Sequence, residues 1–123
     1  MVEFKVLIID DDYINRKLLV EILRKKLYKI ETIESVDGED AIYIIDKEQD
    51  IQFILLDIEM PKINGLEFLE IYMNSTAIKK VPIIAISSND TRKRDSLKKG
   101  ASAFITKPVT EKKLMEAIRN SLQ

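Results

Sequence analysis

The stretch VLIIDDDYI, residues 6–14, decides how the rest of the chain is read. Val6–Ile9 is an unbroken apolar run, and it stops at three consecutive carboxylates, Asp10, Asp11 and Asp12. Continuous rather than alternating apolar residues predict a strand buried on both faces, as in a parallel sheet covered by helices. Behind the acids a helical period begins, with Ile14, Leu18 and Ile22 joined by Leu19 and Leu23. The same alternation recurs along the chain. Phe53–Leu56 and Ile83–Ile86 are strong apolar runs, and Ile30–Val36 and Ala103–Thr106 are weaker ones. Helical periods lie between them at Ala41, Ile42, Ile45, at Leu66, Leu69, Met73, and at Leu114, Ile118, Leu122. Five strands alternating with five helices predict one doubly wound α/β domain over residues 1–123. Asp37-Gly38, Asn64-Gly65 and Lys99-Gly100 are expected between elements, and Pro82 opens a strand. The segment Asp90–Lys99 is basic and holds little apolar besides Leu97, which predicts a thinly packed helix.

Composition narrows the chemistry. A chain of 123 residues, 46% hydrophobic and 33% charged, is long enough for a real core. Its net charge of −1 gives no general attraction to nucleic acid or anionic membrane. There is no Cys, so thiolate metal sites, disulfides and cysteine nucleophiles are excluded, and no His, so the usual general base and nitrogen ligand are missing. Any metal must be held by oxygen. No apolar run approaches the ~20 residues of a membrane span, and Met1 leads into a strand without a signal-peptide pattern. A cytoplasmic protein without direct nucleic-acid or membrane contact is expected.

In an open parallel sheet, ligands bind beyond the carboxyl ends of the strands. Four apolar runs end there in reactive groups: VLII in Asp10-Asp11, FILL in Asp57, IIAI in Ser87-Ser88, and AFIT in Lys107. A shared site is expected. Two unit charges ~4 Å apart repel by ~1 kcal/mol in water and ~4 kcal/mol at an effective dielectric of 20. Three carboxylates together therefore call for a proton or a cation among them. All-oxygen ligands suit Mg²⁺, with Lys107 offsetting part of the charge. Asp12 is expected to cap the following helix or face water. An aspartate beside a divalent cation and a lysine is equipped for phosphoryl transfer, in which a carboxylate attacks phosphorus and the surrounding groups neutralise the equatorial oxygens.

With these residues assembled, the chain resembles the receiver domain of bacterial two-component response regulators. The motifs are VLIIDDD, FILLDIEMPKING, PIIAISSND and GASAFITKP, and the likeness runs from Lys5 to about Leu122. It implies a flavodoxin-like (βα)5 fold with strand order 2-1-3-4-5. By position it implies Asp57 as phosphoacceptor and Asp10 and Asp11 as the acidic pair. Asp11 would ligate Mg²⁺ (or Mn²⁺) directly and Asp10 partly through water. The backbone carbonyl of Glu59 would complete the protein ligands, with Asp57 among them. Ser87 would draw toward the phosphoryl group, with Ser88 and Lys107 also at the phosphate. Phe104 takes the aromatic switch position, and the Lys107–Pro108 bond would be cis, which an X–Pro bond tolerates cheaply. The implied partners are a histidine kinase or histidine phosphotransfer protein and a downstream effector. The effector would meet the face of the fourth helix, fifth strand and fifth helix, in a monomer or a phosphorylation-dependent dimer. Such a domain is a switch rather than an enzyme, catalysing only its own phosphorylation and dephosphorylation.

This sequence departs from the family pattern at several places. Ser88 stands where Ala is commonest, Glu59 and Asn89 occupy positions that tune dephosphorylation, Phe104 lacks the Tyr hydroxyl, and Val109 stands where Phe is frequent. The face named above is basic at Arg92, Lys93, Arg94, Lys98, Lys99, Lys112 and Lys113, which suggests an acidic partner. The chain is expected to be either a stand-alone receiver or part of a longer regulator or hybrid kinase, whose receivers Asn15-Arg16-Lys17-Leu18-Leu19 resembles. Two rival readings exist. Asp10-Asp11-Asp12-Tyr13-Ile14 also spells the D-x-D opening of haloacid-dehalogenase phosphatases, with Asp10 as nucleophile. That reading leaves DIEMPKING and Lys-Pro unexplained. The other is a receiver-like interaction module that no longer signals by phosphate.

Overall fold

The computed structural model describes residues 4–122. Strands β1 (Phe4–Ile9), β2 (Ile30–Ser35), β3 (Phe53–Asp57), β4 (Ile83–Ser87) and β5 (Ala103–Thr106) alternate with helices. The helices are α1 (Tyr13–Lys26), α2 (Gly38–Lys47), α3 (Gly65–Asn74), α4 (Lys93–Lys98) and α5 (Glu111–Ser121). All neighbouring strands are parallel, in the order β2-β1-β3-β4-β5. This is the flavodoxin-like arrangement. From β1 the chain first moves outward to β2 and then crosses back to β3 on the other side. The loops after β1 and β3 therefore diverge and leave a crevice between them.

The unbroken apolar strands are buried on both sides. Period two sends Val6, Ile8, Phe53, Leu55, Ile84 and Ile86 to one face, where Leu19 and Leu23 of α1 and Leu114 and Ile118 of α5 cover them. Leu7, Ile9, Ile54, Leu56, Ile83 and Ala85 go to the other face, against Ala41 of α2 and Phe68, Leu69 and Tyr72 of α3. Each fully buried side chain of this size contributes about 1.5–3 kcal/mol, so the central strands are rigid supports for whatever their ends carry.

The helix starts are well specified. Asp12 is the N-cap of α1, its side chain accepting the Ile14 N–H at 2.8 Å. Asp37 caps α2, Thr110 caps α5, and Asn64 forms a capping box with Glu67 on α3. Gly38 and Gly65, expected between elements, are instead the first helical residues after those caps. Gly65 is there because of space: a Cβ would sit 2.6 Å from Ile58 Cα and 2.8 Å from the Asp57 carbonyl oxygen. The weak run Ile30–Val36 pairs as far as Ser35 and leaves Val36 exposed. Asp90–Lys99 divides into a 3₁₀ turn at Asp90–Arg92 and the six-residue α4. The residue α4 buries is Ser96, whose hydroxyl donates to the Arg92 carbonyl at 2.7 Å, while Leu97 is exposed. Among the described residues no helix is long and apolar enough to cross a membrane.

Candidate functional site

Where β1 and β3 end, burial and charge conflict. Asp10 follows the last residue of β1 and is 2% exposed; Asp57 closes β3 and is 4% exposed. Asp11, beside them, faces solvent. Carboxylate oxygens from Asp10, Asp11 and Asp57 all lie within 4.8 Å of one another. Lys107 Nζ stands 3.4 Å from Asp57 Oδ1. One ammonium does not neutralise the cluster. Burial raises the Asp57 carboxyl first, and the charge of Asp10 adds to it. Lys107 and the Glu59 N–H, 3.3 Å away, oppose this, and the outcome is a pKa of about 7 against an ordinary 3.8. Asp10 is raised as well, chiefly by burial, although it accepts the Asp12 N–H at 2.8 Å.

The end of β4 supplies hydroxyls. Ser87 is fully buried, and its backbone carbonyl accepts the Lys107 N–H at 2.9 Å, tying the β5 end to it. The Ser87 hydroxyl donates to Glu59 Oε2 at 2.6 Å, while Glu59 Oε1 accepts the Ser88 N–H at 2.9 Å and the Ser88 hydroxyl at 3.1 Å. Burial pushes the Glu59 carboxyl up. These hydrogen bonds, together with the charge of Lys107, outweigh it and hold the group below its ordinary value. The Lys107–Pro108 peptide is cis. Phe104, half-buried on β5, pairs in register with Ala85 and packs on the α2–α3 side of the sheet. Ser87 lies two residues beyond Ala85, on the same face as Phe104. The structure thus brings Asp10, Asp11, Asp57, Glu59, Ser87, Ser88 and Lys107 to one edge. Phe104 sits along β5, back from that edge.

Two participants were not foreseen. Arg16 is 9% exposed, and it donates to the Asp10 carbonyl at 2.7 Å from Nη1 and to Glu34 Oε1 at 3.0 Å from Nε. It anchors the acidic loop to β2. A signal existed: a cation in the opening turns of a helix opposes the macrodipole, so it needs a partner outside the helix. The other is the set of contacts made by the Glu59 side chain: its position is expected to tune dephosphorylation, but the serine donors it accepts from are not legible in the sequence. Of the basic residues on the α4–β5–α5 face, two are engaged internally. Lys99 pairs with Glu70, and Lys113 Nζ donates to the Thr106 and Pro108 carbonyls at 3.1 and 3.3 Å.

A five-stranded doubly wound domain thus carries an acidic triad and a lysine at the carboxyl edge of its sheet, where ligands bind in open α/β domains. Comparison with known proteins gives the class. Residues 6–119 match the family model of the response regulator receiver domain. Two-component response regulator ORR3 of Oryza sativa subsp. indica is 31% identical over 106 residues, covering 85% of this chain and 79% of that protein. Among solved structures, chemotaxis protein CheY4 of Vibrio cholerae aligns with a TM-score of 0.81 at 26% identity, over 97% of this chain and 98% of that one. The CheX-CheY-BeF3-Mg+2 complex from Borrelia burgdorferi aligns at 0.83 with 32% identity, over 95% and 87%. The chain belongs to the response regulator receiver domain family. It is a receiver domain of the two-component signalling class, not an enzyme in the ordinary sense.

Proposed function

We propose that this domain accepts a phosphoryl group on Asp57 from a histidine kinase or histidine phosphotransfer partner and thereby switches its α4–β5–α5 surface. The observation that carries the reading is the meeting of three carboxylates within 4.8 Å with Lys107 at 3.4 Å from Asp57, on the edge that also presents Ser87. The donor set fits a small hard divalent cation. It is all oxygen, bears three charges, and is so poorly compensated that Asp57 is pushed to about 7. Asp10, Asp11, Asp57 and the Glu59 carbonyl would hold Mg²⁺ or Mn²⁺. When bound, the ion supplies positive charge against the phosphoryl oxygens and keeps Asp57 ionised.

The remaining steps fall to the protein. An Asp57 carboxylate oxygen attacks phosphorus as the P–N bond to the donor imidazole breaks; the imidazole keeps the electron pair and takes a proton from solvent. The product is an acyl phosphate. Lys107, already beside Asp57, moves its charge onto a phosphoryl oxygen. Ser87 and Ser88 donate to another. Ser87 and Phe104 share a sheet face, so a shift of the β4 end toward the phosphoryl group opens space into which Phe104 turns. That couples the site to β5 and the helices beside it. The basic side chains of Arg92, Lys93, Arg94, Lys98 and Lys112 make no ion pair among the described residues and favour an acidic effector surface. Docking that ignores added salt would argue against that effector. A cytoplasmic setting and a monomer, or a dimer formed on phosphorylation, accord with this role.

The test is incubation with Mg²⁺ and a small phosphodonor such as phosphoramidate, followed by intact mass and hydroxylamine lability. The wild type should gain one alkali- and hydroxylamine-labile phosphate, and Asp57→Ala should gain none. Labelling that persists in Asp57→Ala and vanishes in Asp10→Ala would instead indicate the phosphatase chemistry. No labelling of the wild type, with no NMR response of Ser87 or Phe104 to Mg²⁺ and beryllofluoride, would leave the interaction module.

A further inference from the structure

Glu59 lies two residues beyond Asp57, in a loop exposed to water, where a carboxylate has every reason to be solvated. It is folded back instead. Both oxygens are engaged: Oε2 takes the hydroxyl proton of the buried Ser87 at 2.6 Å, and Oε1 takes the N–H and hydroxyl of Ser88 at 2.9 and 3.1 Å. Three donors converge on one anion, and each of those bonds is of the charge-assisted kind. These are the donors that a phosphoryl group on Asp57 would need. The Ser87 hydroxyl has few alternatives at zero exposure: the other acceptor in its reach is the Asn89 carbonyl at 3.2 Å, and its oxygen accepts the Asn89 N–H at 3.0 Å.

We propose that the Glu59 side chain is an internal competitor for the phosphoryl-binding serines. This rests on the reading of Asp57 as phosphoacceptor. The carboxylate imitates the anion the site is built to receive. A phosphoryl group cannot take the Ser87 hydroxyl and the Ser88 N–H while Glu59 holds both, and a carboxylate left at that distance would repel it. Phosphorylation therefore includes the displacement of Glu59 into water, which its position in an exposed loop permits without disturbing the core. In the resting state the same bonds hold the β4 end in place. Glu59 thus acts as a positioning residue that sets how readily the switch charges.

Beryllofluoride, which adds to an aspartate as a phosphoryl mimic, is a direct probe. Its affinity in saturating Mg²⁺ would be measured by calorimetry or ¹⁹F NMR for the wild type, Glu59→Gln, Glu59→Ala and Asp57→Ala, alongside the affinity for Mg²⁺ alone. Glu59→Ala should bind beryllofluoride about 10- to 100-fold more tightly, because the serine donors start free. Glu59→Gln, which keeps an acceptor but loses the charge, should fall between. Affinity for Mg²⁺ alone should stay level or weaken slightly, since a nearby negative charge is gone. A merely structural role would move both affinities in the same direction. Phosphoramidate labelling should quicken in the same rank order.

If the wild type binds beryllofluoride and Asp57→Ala does not, but Glu59→Ala binds no more tightly, the competition is wrong and the phosphoacceptor reading stands. Weaker binding by Glu59→Ala would mean that the carboxylate prepares the serines rather than blocking them, which also overturns it. If neither the wild type nor Glu59→Ala binds, both readings fall together.

Discussion

Asp57→Asn should stabilise the metal-free protein at neutral and higher pH, and the size of the effect follows from the site. Asp57 is 4% exposed, within 4.8 Å of two other carboxylates, and its pKa is about 7 where the ordinary value is 3.8. Because the folded state holds this proton more tightly than the unfolded one, the folded protein binds more protons between those two values. Stability accordingly falls as pH rises through that window. At roughly 1.4 kcal/mol per pK unit the full penalty is about 4 kcal/mol. The amide avoids the charge but forfeits the ion pair with Lys107, so a gain of about 2–4 kcal/mol is expected at pH 8. Urea unfolding followed by circular dichroism in EDTA would measure it, at several pH values from 4 to 8. The variant and wild type should come close together near pH 4, at the lower end of that window, where little of the penalty has yet built up. The gap should open as pH climbs, and millimolar Mg²⁺ should narrow it by stabilising the wild type. Equal stabilities at pH 8, or a less stable variant, would refute the account of the acidic cluster as a stored electrostatic cost.

Gly65→Ala should destabilise by roughly 3 kcal/mol and slow phosphodonor labelling. Its Cβ would meet backbone at Ile58 and Asp57 that cannot yield without moving the acceptor; urea midpoints and labelling rates report both. Gly100→Ala should cost about 2 kcal/mol, because φ is +118° and Met73 Cγ lies 2.7 Å from the added methyl. Adding Met73→Ala should recover only part in thermal unfolding, since it relieves the clash and not the dihedral. Arg16→Met should cost about 2 kcal/mol by orphaning the buried Asp10 carbonyl, and Glu34→Gln less than about 1 kcal/mol, because Glu34 is half-exposed; the same denaturation series separates them.

Much of this architecture can be read from the chain because burial on both faces leaves a strong mark. The runs at Val6–Ile9, Phe53–Leu56 and Ile83–Ile86 have no polar interruption, so their ends are sharp, and what stands at those ends is the site. Asp10, Asp57 and Ser87 are legible for that reason, whereas Lys107 follows the weaker, half-buried run Ala103–Thr106 and is marked chiefly by the Lys-Pro that comes after it. The features that escape it depend on side chains that leave their local pattern. Arg16 reads as a solvated residue on α1, yet the Asp10 carbonyl, having no strand to pair with, needs a donor and draws it in. In the segment Asp90–Lys99 the sequence singles out Leu97 as the apolar residue, yet the residue α4 buries is Ser96, its hydroxyl satisfied by the Arg92 carbonyl. The glycines after Asp37 and Asn64 read as turn residues, since a one-residue offset between cap and first helical position carries no signature in the sequence.

The site's two halves differ in how completely they are satisfied. The acidic half, made by the β1 and β3 ends, has a surplus of negative charge that Lys107 alone does not cancel. The hydroxyl half, at the β4 end, has its donors fully occupied by Glu59. A cation therefore relieves a strain that the fold already bears, whereas an incoming anion must break bonds that the fold already makes. Metal binding should consequently be the easier event and phosphorylation the gated one. On the proposed reading of Asp57 as phosphoacceptor, a phosphoryl group there would repel Glu59 and engage Lys107. One addition at β3 would then release the β4 end and recruit the β5 end together, which is what a switch with a single covalent input requires.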